Sequence, residues 1–105
     1  METERRRGPR YPFIAALEIT EVVTNTVMRA RTSELSRYGC YVDTINPLPL
    51  DTKVRIAITH EGKEFRAEGR VIYDLPNMGM GVAFLGMAPQ HLEVLDHWLR
   101  ELEKT

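Results

Sequence analysis

Lys53-Val54-Arg55-Ile56-Ala57-Ile58-Thr59-His60-Glu61-Gly62-Lys63-Glu64-Phe65-Arg66-Ala67-Glu68-Gly69-Arg70-Val71-Ile72-Tyr73 decides the fold. Val54, Ile56 and Ile58 recur at every second position with Arg55 and Thr59 between them. After His60-Glu61-Gly62-Lys63 the same period returns in Phe65, Ala67, Gly69, Val71 and Tyr73, which are assigned to the inside. A period of two with polar residues between is the pattern of a strand that buries one face. Two such runs joined by a short turn containing glycine form an antiparallel hairpin.

The same period extends outward in both directions. Upstream, residues 13–23 place Leu17 and Ile19 opposite Glu18 and Thr20, and Thr24-Asn25 supplies a turn. Residues 27–33 and 39–44 give two more strands, the second with Cys40 and Val42 opposite Tyr41 and Asp43. Asn46-Pro47-Leu48-Pro49-Leu50-Asp51 cannot hold a ladder and reads as a loop. Downstream, Pro76-Asn77 makes a turn, and Met80, Val82 and Phe84 form the last strand. Six short strands predict an all-β fold, a six-stranded antiparallel barrel, because an open sheet of this size would expose two unpaired edges. The period changes after Pro89: Leu92, Leu95, Leu99 and Leu102 form one stripe, with Val94 and Trp98 beside it, predicting a C-terminal helix over 89–104 that buries this stripe.

With 105 residues, 43% apolar and 28% charged, the chain reads as one small domain. Its expected parts are a flexible arginine-rich arm (1–10), the barrel (11–86) and the helix (89–104). No apolar region follows the N-terminal charges and no stretch is long enough to span a bilayer. Cys40 stands alone, so no internal disulfide forms. The expected compartment is the cytoplasm, without membrane insertion.

Enzymatic readings find no support. His60, His91 and His97 lack metal-ligand spacing, so no metal is expected. Ser36 lies outside any nucleophile-elbow pattern. Gly79-Met80-Gly81 lacks the third glycine of a dinucleotide fingerprint and precedes a strand; its glycines read as serving a turn and a close backbone approach.

Charge is unevenly placed. Residues 1–37 carry seven arginines, no lysine and five acids, whereas residues 38–105 carry seven Lys/Arg and ten acids. A general nucleic-acid binder of this size would be basic overall, so DNA is not an expected partner. Arginine without lysine suits a small, anionic, planar ligand, which guanidinium forks grip bidentately and stack upon. Two segments stand out: Arg5-Arg6-Arg7-Gly8-Pro9-Arg10 before the first strand, and Glu34-Leu35-Ser36-Arg37-Tyr38-Gly39 between the second and third. Arginine forks fit the O6/N7 edge of guanine, and a carboxylate accepts from its N1–H and N2–H₂ donors. The combination suits a guanine nucleotide.

On these residues the chain resembles a PilZ domain, the cyclic di-GMP receptor module. Arg6-Arg7-Gly8-Pro9-Arg10 matches the family's R-x-x-x-R, and Glu34-Leu35-Ser36-Arg37-Tyr38-Gly39 matches [D/N]-x-S-x-x-G except at its first residue. Gly69-Arg70-Val71 and Gly79-Met80-Gly81-Val82-Ala83-Phe84 are similar to its barrel-closing strands, so the likeness covers roughly residues 5–102. The departure is Glu34, where one extra methylene keeps the acceptor chemistry but moves it by about 1.5 Å.

The resemblance implies a split barrel with a terminal helix, no catalysis and no cofactor. Its ligand is cyclic di-GMP, alone or as a stacked pair, held by Arg6, Arg7, Arg10, Glu34, Ser36 and Gly39, with Arg5, Arg37 and Tyr38 as further candidates. Ligand would order the arginine arm and change the surface offered to a downstream protein, since no residues remain for an output domain. Two other readings stand beside this one. A degenerate adaptor would work by protein contact without nucleotide, and a small single-strand nucleic-acid-binding barrel would stack bases on Tyr11, Phe13, Tyr38 and Tyr41.

Overall fold

The hairpin at the centre of the sequence forms as expected and supplies two adjacent strands of the sheet. In the computed structural model, which describes residues 9–104, β4 (Lys53–His60) and β5 (Lys63–Leu75) pair antiparallel from Lys53↔Arg70 to His60↔Lys63. Glu61 and Gly62 make the turn with φ of 50° and 79°. Two successive positive φ values match the right-handed twist of the flanking strands, and glycine takes the second without steric cost.

The other strands are β1 (Tyr11–Glu21), β2 (Val27–Leu35), β3 (Gly39–Asp43) and β6 (Gly79–Gly86), and the helix is α1 (Pro89–Glu103). They close in the order β1-β2-β3-β6-β5-β4, antiparallel throughout, so the expected six-stranded barrel with a C-terminal helix is present. Leu17, Ile19, Leu35, Val42, Val54, Ile56, Ile58, Phe65, Val71, Met80 and Val82 fill its interior. The expected arm is represented only by Pro9 and Arg10, because residues 1–8 lie outside the described residues.

Four register shifts among the described residues interrupt strict alternation, one of them between Glu68 and Gly69, and the other three shape the outer surface. Thr32 and Leu35 are both buried although an odd number of positions separates them, and a register shift between Thr32 and Glu34 reconciles them. A second shift lies between Val71 and Tyr73. It turns Tyr73, assigned above to the inside, toward the outer face beside Ile72, which is a correction to the sequence reading. A third lies in β1 between Pro12 and Ala15.

The helix also differs in detail. Its buried residues are Leu95 and Trp98, while Leu92, Leu99 and Leu102 are half-buried at the rim. Trp98 meets Phe13 at 5.3 Å and Phe65 at 6.4 Å between ring centroids, with His60 edge-on at 5.8 Å. The indole, not the leucine stripe alone, therefore seats the helix on the barrel. Burying each of these large apolar side chains is worth about 1.5–3 kcal/mol. Phe13 is consumed by this packing and offers no stacking face to a nucleic acid.

Candidate functional site

The segment after β2 is built around a hydroxyl. Ser36 is buried, and its Oγ accepts hydrogen bonds from the backbone N–H groups of Tyr38 at 3.1 Å and Gly39 at 3.2 Å. Its own N–H donates to the Gly39 carbonyl at 2.9 Å. The Phe84 N–H donates to the Tyr38 carbonyl at 2.8 Å, tying the turn to β6. Ser36 thus spends its side chain on the turn. Gly39 is required by close approach: a Cβ there would fall on the Val82 carbonyl of the neighbouring strand.

Glu34 reaches the outer surface because of the adjacent bulge. Thr32, fully buried, donates through its hydroxyl to the Tyr41 carbonyl at 2.8 Å, with the Glu34 carbonyl also within 3.1 Å. That hydroxyl holds the irregular register. The Glu34 carboxylate then sits 3.8 Å from the Arg10 guanidinium, with side chains 41% and 60% exposed. An ion pair so long and so wet contributes under about 1 kcal/mol, so both groups keep unused hydrogen-bonding capacity.

On β6, Gly79 and Gly81 form the floor of this surface. A Cβ on Gly79 would collide with the Tyr41 phenol at 2.6 Å, and one on Gly81 would fall inside the Tyr73 ring. The close approach inferred for Gly79-Met80-Gly81 is therefore made by aromatic rings as well as by the Val42 carbonyl. Tyr41 and Tyr73 lie with ring centroids 6.3 Å apart, tilted by 31°, across these glycines.

Arg10, Glu34, Ser36, Tyr38 and Gly39 meet Tyr41, Tyr73, Gly81 and Ala83 around one cavity of about 250 Å³. That is below the ~300–1,000 Å³ of a pocket that engulfs a drug-sized ligand, so it suits one planar group with the rest of the ligand outside. Burial pushes the Tyr73 phenol above its ordinary pKa. The Arg10 guanidinium pulls it the other way, and Glu34 and Tyr41 add to the rise. At neutral pH Tyr73 is an uncharged donor beside a cation and a carboxylate. Below the floor, burial pushes the Cys40 thiol up to about 12, with a hydrogen bond to Thr32 opposing, so it is neither a nucleophile nor a ligand at neutral pH.

Of the residues named from sequence, Arg10, Glu34, Ser36, Tyr38 and Gly39 are brought together. Arg5, Arg6 and Arg7 lie outside the described residues. Arg37 is placed elsewhere: its guanidinium donates to Asp96 of α1 at 2.6 Å, on the helix side of the turn. Tyr11 also lies on that side, in a groove with Arg37, Asp96 and Leu99. The aromatic set named for single-stranded nucleic acid is thus divided among the core, the helix groove and the cavity. Tyr73 was missed because the bulge that exposes it has no sequence signal.

A larger groove of about 470 Å³ runs along β1, β4 and β5 beside the helix start. Charges there offset one another. Arg66 pairs with Glu64 at 3.0 Å, Arg55 stands opposite Glu68, and His91 Nδ1 accepts from the Arg66 N–H at 3.1 Å. Among the described residues no group of three or more His, Cys, Asp or Glu is placed to hold a metal ion, and no helix is long and apolar enough to cross a membrane.

The family model of the PilZ domain matches residues 4–101. No curated protein matches the chain. Among solved structures, the PilZ domain of CeSA from a cellulose-synthesizing bacterium is 22% identical, with a TM-score of 0.71, covering 90% of this chain and 98% of its own. The PilZ domain of YcgR from Escherichia coli, with c-di-GMP, is 19% identical, with a TM-score of 0.76, covering 95% and 92%. The Bacillus subtilis inhibitor of motility MotI/DgrA is 19% identical, with a TM-score of 0.74, covering 96% of this chain and 53% of its own.

Proposed function

Because the chain belongs to the PilZ domain family, we propose that it is a receptor for cyclic di-GMP, acting through a change in its protein contacts and not through catalysis. The observation that carries this reading is the convergence of Arg10, Glu34, Tyr41 and Tyr73 over a glycine floor in one cavity. A guanine needs a flat surface for its face, acceptors for N1–H and N2–H₂, and donors for O6 and N7. The tyrosines supply the first, Glu34 the second and Arg10 the third. The E. coli YcgR domain, whose structure holds c-di-GMP, shares the fold and supports the ligand class.

Arg6 and Arg7, and Arg5 beyond them, would approach from the arm to hold phosphates or to stack on a guanine, one ligand at a time or a stacked pair. Four arginines in six residues repel one another. Ordering such a segment costs on the order of 6–12 kcal/mol of backbone entropy. Several charge-assisted contacts of roughly 1.5–3 kcal/mol each offset that cost, so arm order and ligand occupancy are linked. The arm in its ordered state is the surface that a downstream protein reads.

Isothermal titration tests the reading. Cyclic di-GMP is expected to bind, and GTP and single-stranded RNA are not. Absence of heat with cyclic di-GMP would overturn the receptor and leave the degenerate adaptor, for which the Arg10–Glu34 pair would be a closed surface contact.

A further inference from the structure

Side chains on the outer face of the barrel form rows that run across strands. One row begins at Gly39 on β3, passes through Ala83 on β6 and Arg70 on β5, and ends at Lys53 on β4. Gly39 and Ala83 belong to the cavity described above, so this row leads from its floor to two cations. Lys53 and Arg70 are exposed and stand directly opposite one another in the ladder. Directly opposed residues have Cβ atoms about 4.5–5.5 Å apart, and like charges there repel.

Elsewhere on the barrel such repulsion is avoided. Arg29 is paired with Glu18, Arg31 with Asp43 and Arg66 with Glu64. Arg55, one row away from Lys53, is opposed by Glu68. Among the described residues neither Lys53 nor Arg70 has a carboxylate within ion-pair distance. Two cations set against each other without an acid form a place where an anion relieves repulsion as well as gaining attraction.

Reach is sufficient. Arg70 is two strand spacings of about 4.8 Å from Gly39, and only the Ala83 methyl stands between them in the row. Arg10 and Glu34 lie on the other side of the cavity floor, toward β1 and β2. Cyclic di-GMP carries two phosphates on opposite sides of one ring, so cations at one rim alone would leave a phosphate facing solvent.

We propose that Lys53 and Arg70 form a second rim of the cavity and take the phosphate of the ligand farthest from Arg10. This rests on the receptor reading above, and it adds two residues that lie outside both sequence motifs.

Titration of cyclic di-GMP into Arg70→Gln, Lys53→Gln and the double variant tests it. The double variant is expected to bind about tenfold more weakly, the equivalent of one charge-assisted hydrogen bond. That loss should shrink as salt is raised. Arg70→Lys should keep most of the affinity. Thermal melting of the unliganded double variant should be unchanged or higher, because repulsion has been removed; a merely structural pair would lower both melting and affinity. A double variant that binds like the wild type, or one whose affinity and melting fall together without rescue by Arg70→Lys, overturns the inference. A wild-type chain that does not bind cyclic di-GMP removes the receptor reading and this inference with it, whereas wild-type binding with an unaffected double variant removes this inference alone.

Discussion

The two outer faces of the barrel use the same residue types in opposite ways. Along β1, β2 and the start of β5, arginines meet acids: Glu18 with Arg29 at 3.5 Å, Glu64 with Arg66 at 3.0 Å. Along β3, β6 and the middle of β5, glycines and an alanine clear the surface and two tyrosines border it. Arg10 at one side has only its long 3.8 Å pair with Glu34, and at the other side, among the described residues, Lys53 and Arg70 have no acid within ion-pair distance. The first face is larger in open volume but satisfied within itself. The second is smaller and retains donors, acceptors and ring faces. Unspent capacity, not the size of a groove, marks the face that has something to bind.

The sharpest way to break this contrast is to remove one arginine from each face. Arg10→Ala should weaken cyclic di-GMP binding by roughly 2–4 kcal/mol, the cost of taking a charged partner from a nucleotide site. Arg29→Ala, with its partner Glu18 on the satisfied face, should leave the affinity unchanged. Titration of both variants decides it, and equal losses would erase the distinction between the faces.

Glycines give the next effect, read as stability. Gly39→Ala places a methyl against the Val82 carbonyl, which belongs to the ladder and cannot swing aside. Overpacking of this kind costs about 1–3 kcal/mol. Gly86→Ala, at the far end of β6 where a Cβ would meet nothing within 4 Å, should be neutral. Chemical denaturation of the pair checks whether the cleared floor is as tightly fitted as the distances require.

These positions also show what was legible in the chain. Strand existence was, because Val54/Ile56/Ile58 and Phe65/Ala67/Val71 keep a period that survives any local irregularity. The phase of that period was not, wherever a bulge inserts a residue. Thr32 and Leu35 on one face needed an extra residue, and Tyr73 moved from the expected inside to the outer face for the same reason. The motif Glu34–Gly39 was legible because its turn is local: serine and glycine act within four residues of each other. The Arg37–Asp96 pair was not, because it joins residues 59 positions apart. Trp98 was placed beside the helix stripe when it is among the stripe's most buried residues; apolar period alone does not tell which side chain fits a barrel mouth.

A pH-dependent effect tests how firmly the cavity floor closes over the core. Cys40, on the inner side of β3, has its thiol pushed up to about 12 by burial. In the unfolded chain the thiol ionises near its ordinary value of about 8.5. Between the two values the unfolded state has released a proton that the folded state retains. This contribution is therefore intact below that ordinary value and is lost as pH rises toward the folded one. Melting temperature should fall above about pH 9, and less so in Cys40→Ala. At pH 8 a thiol reagent should label the native protein far more slowly than the denatured one. Rapid native labelling would mean that the floor opens readily.

The smallest effect concerns the boundary between the two faces. Arg37 lies within the six-residue motif, yet its guanidinium is held by Asp96 of the helix at 2.6 Å, with both side chains partly exposed. A pair in that setting contributes under about 1 kcal/mol. Arg37→Ala and Asp96→Asn should each lower stability by no more than that, and the double variant should lose less than the sum of the two. Ligand affinity should be unchanged in all three, because the guanidinium points to the helix and the turn is held by Ser36 and by the Phe84–Tyr38 backbone bond. If Arg37→Ala weakened cyclic di-GMP binding while Asp96→Asn strengthened it, the arginine would be leaving the helix for the ligand. The turn would then carry ligand occupancy into α1. Flat affinity in both variants instead confines the nucleotide to the face bordered by Tyr41 and Tyr73, and keeps Arg37 and α1 out of its binding.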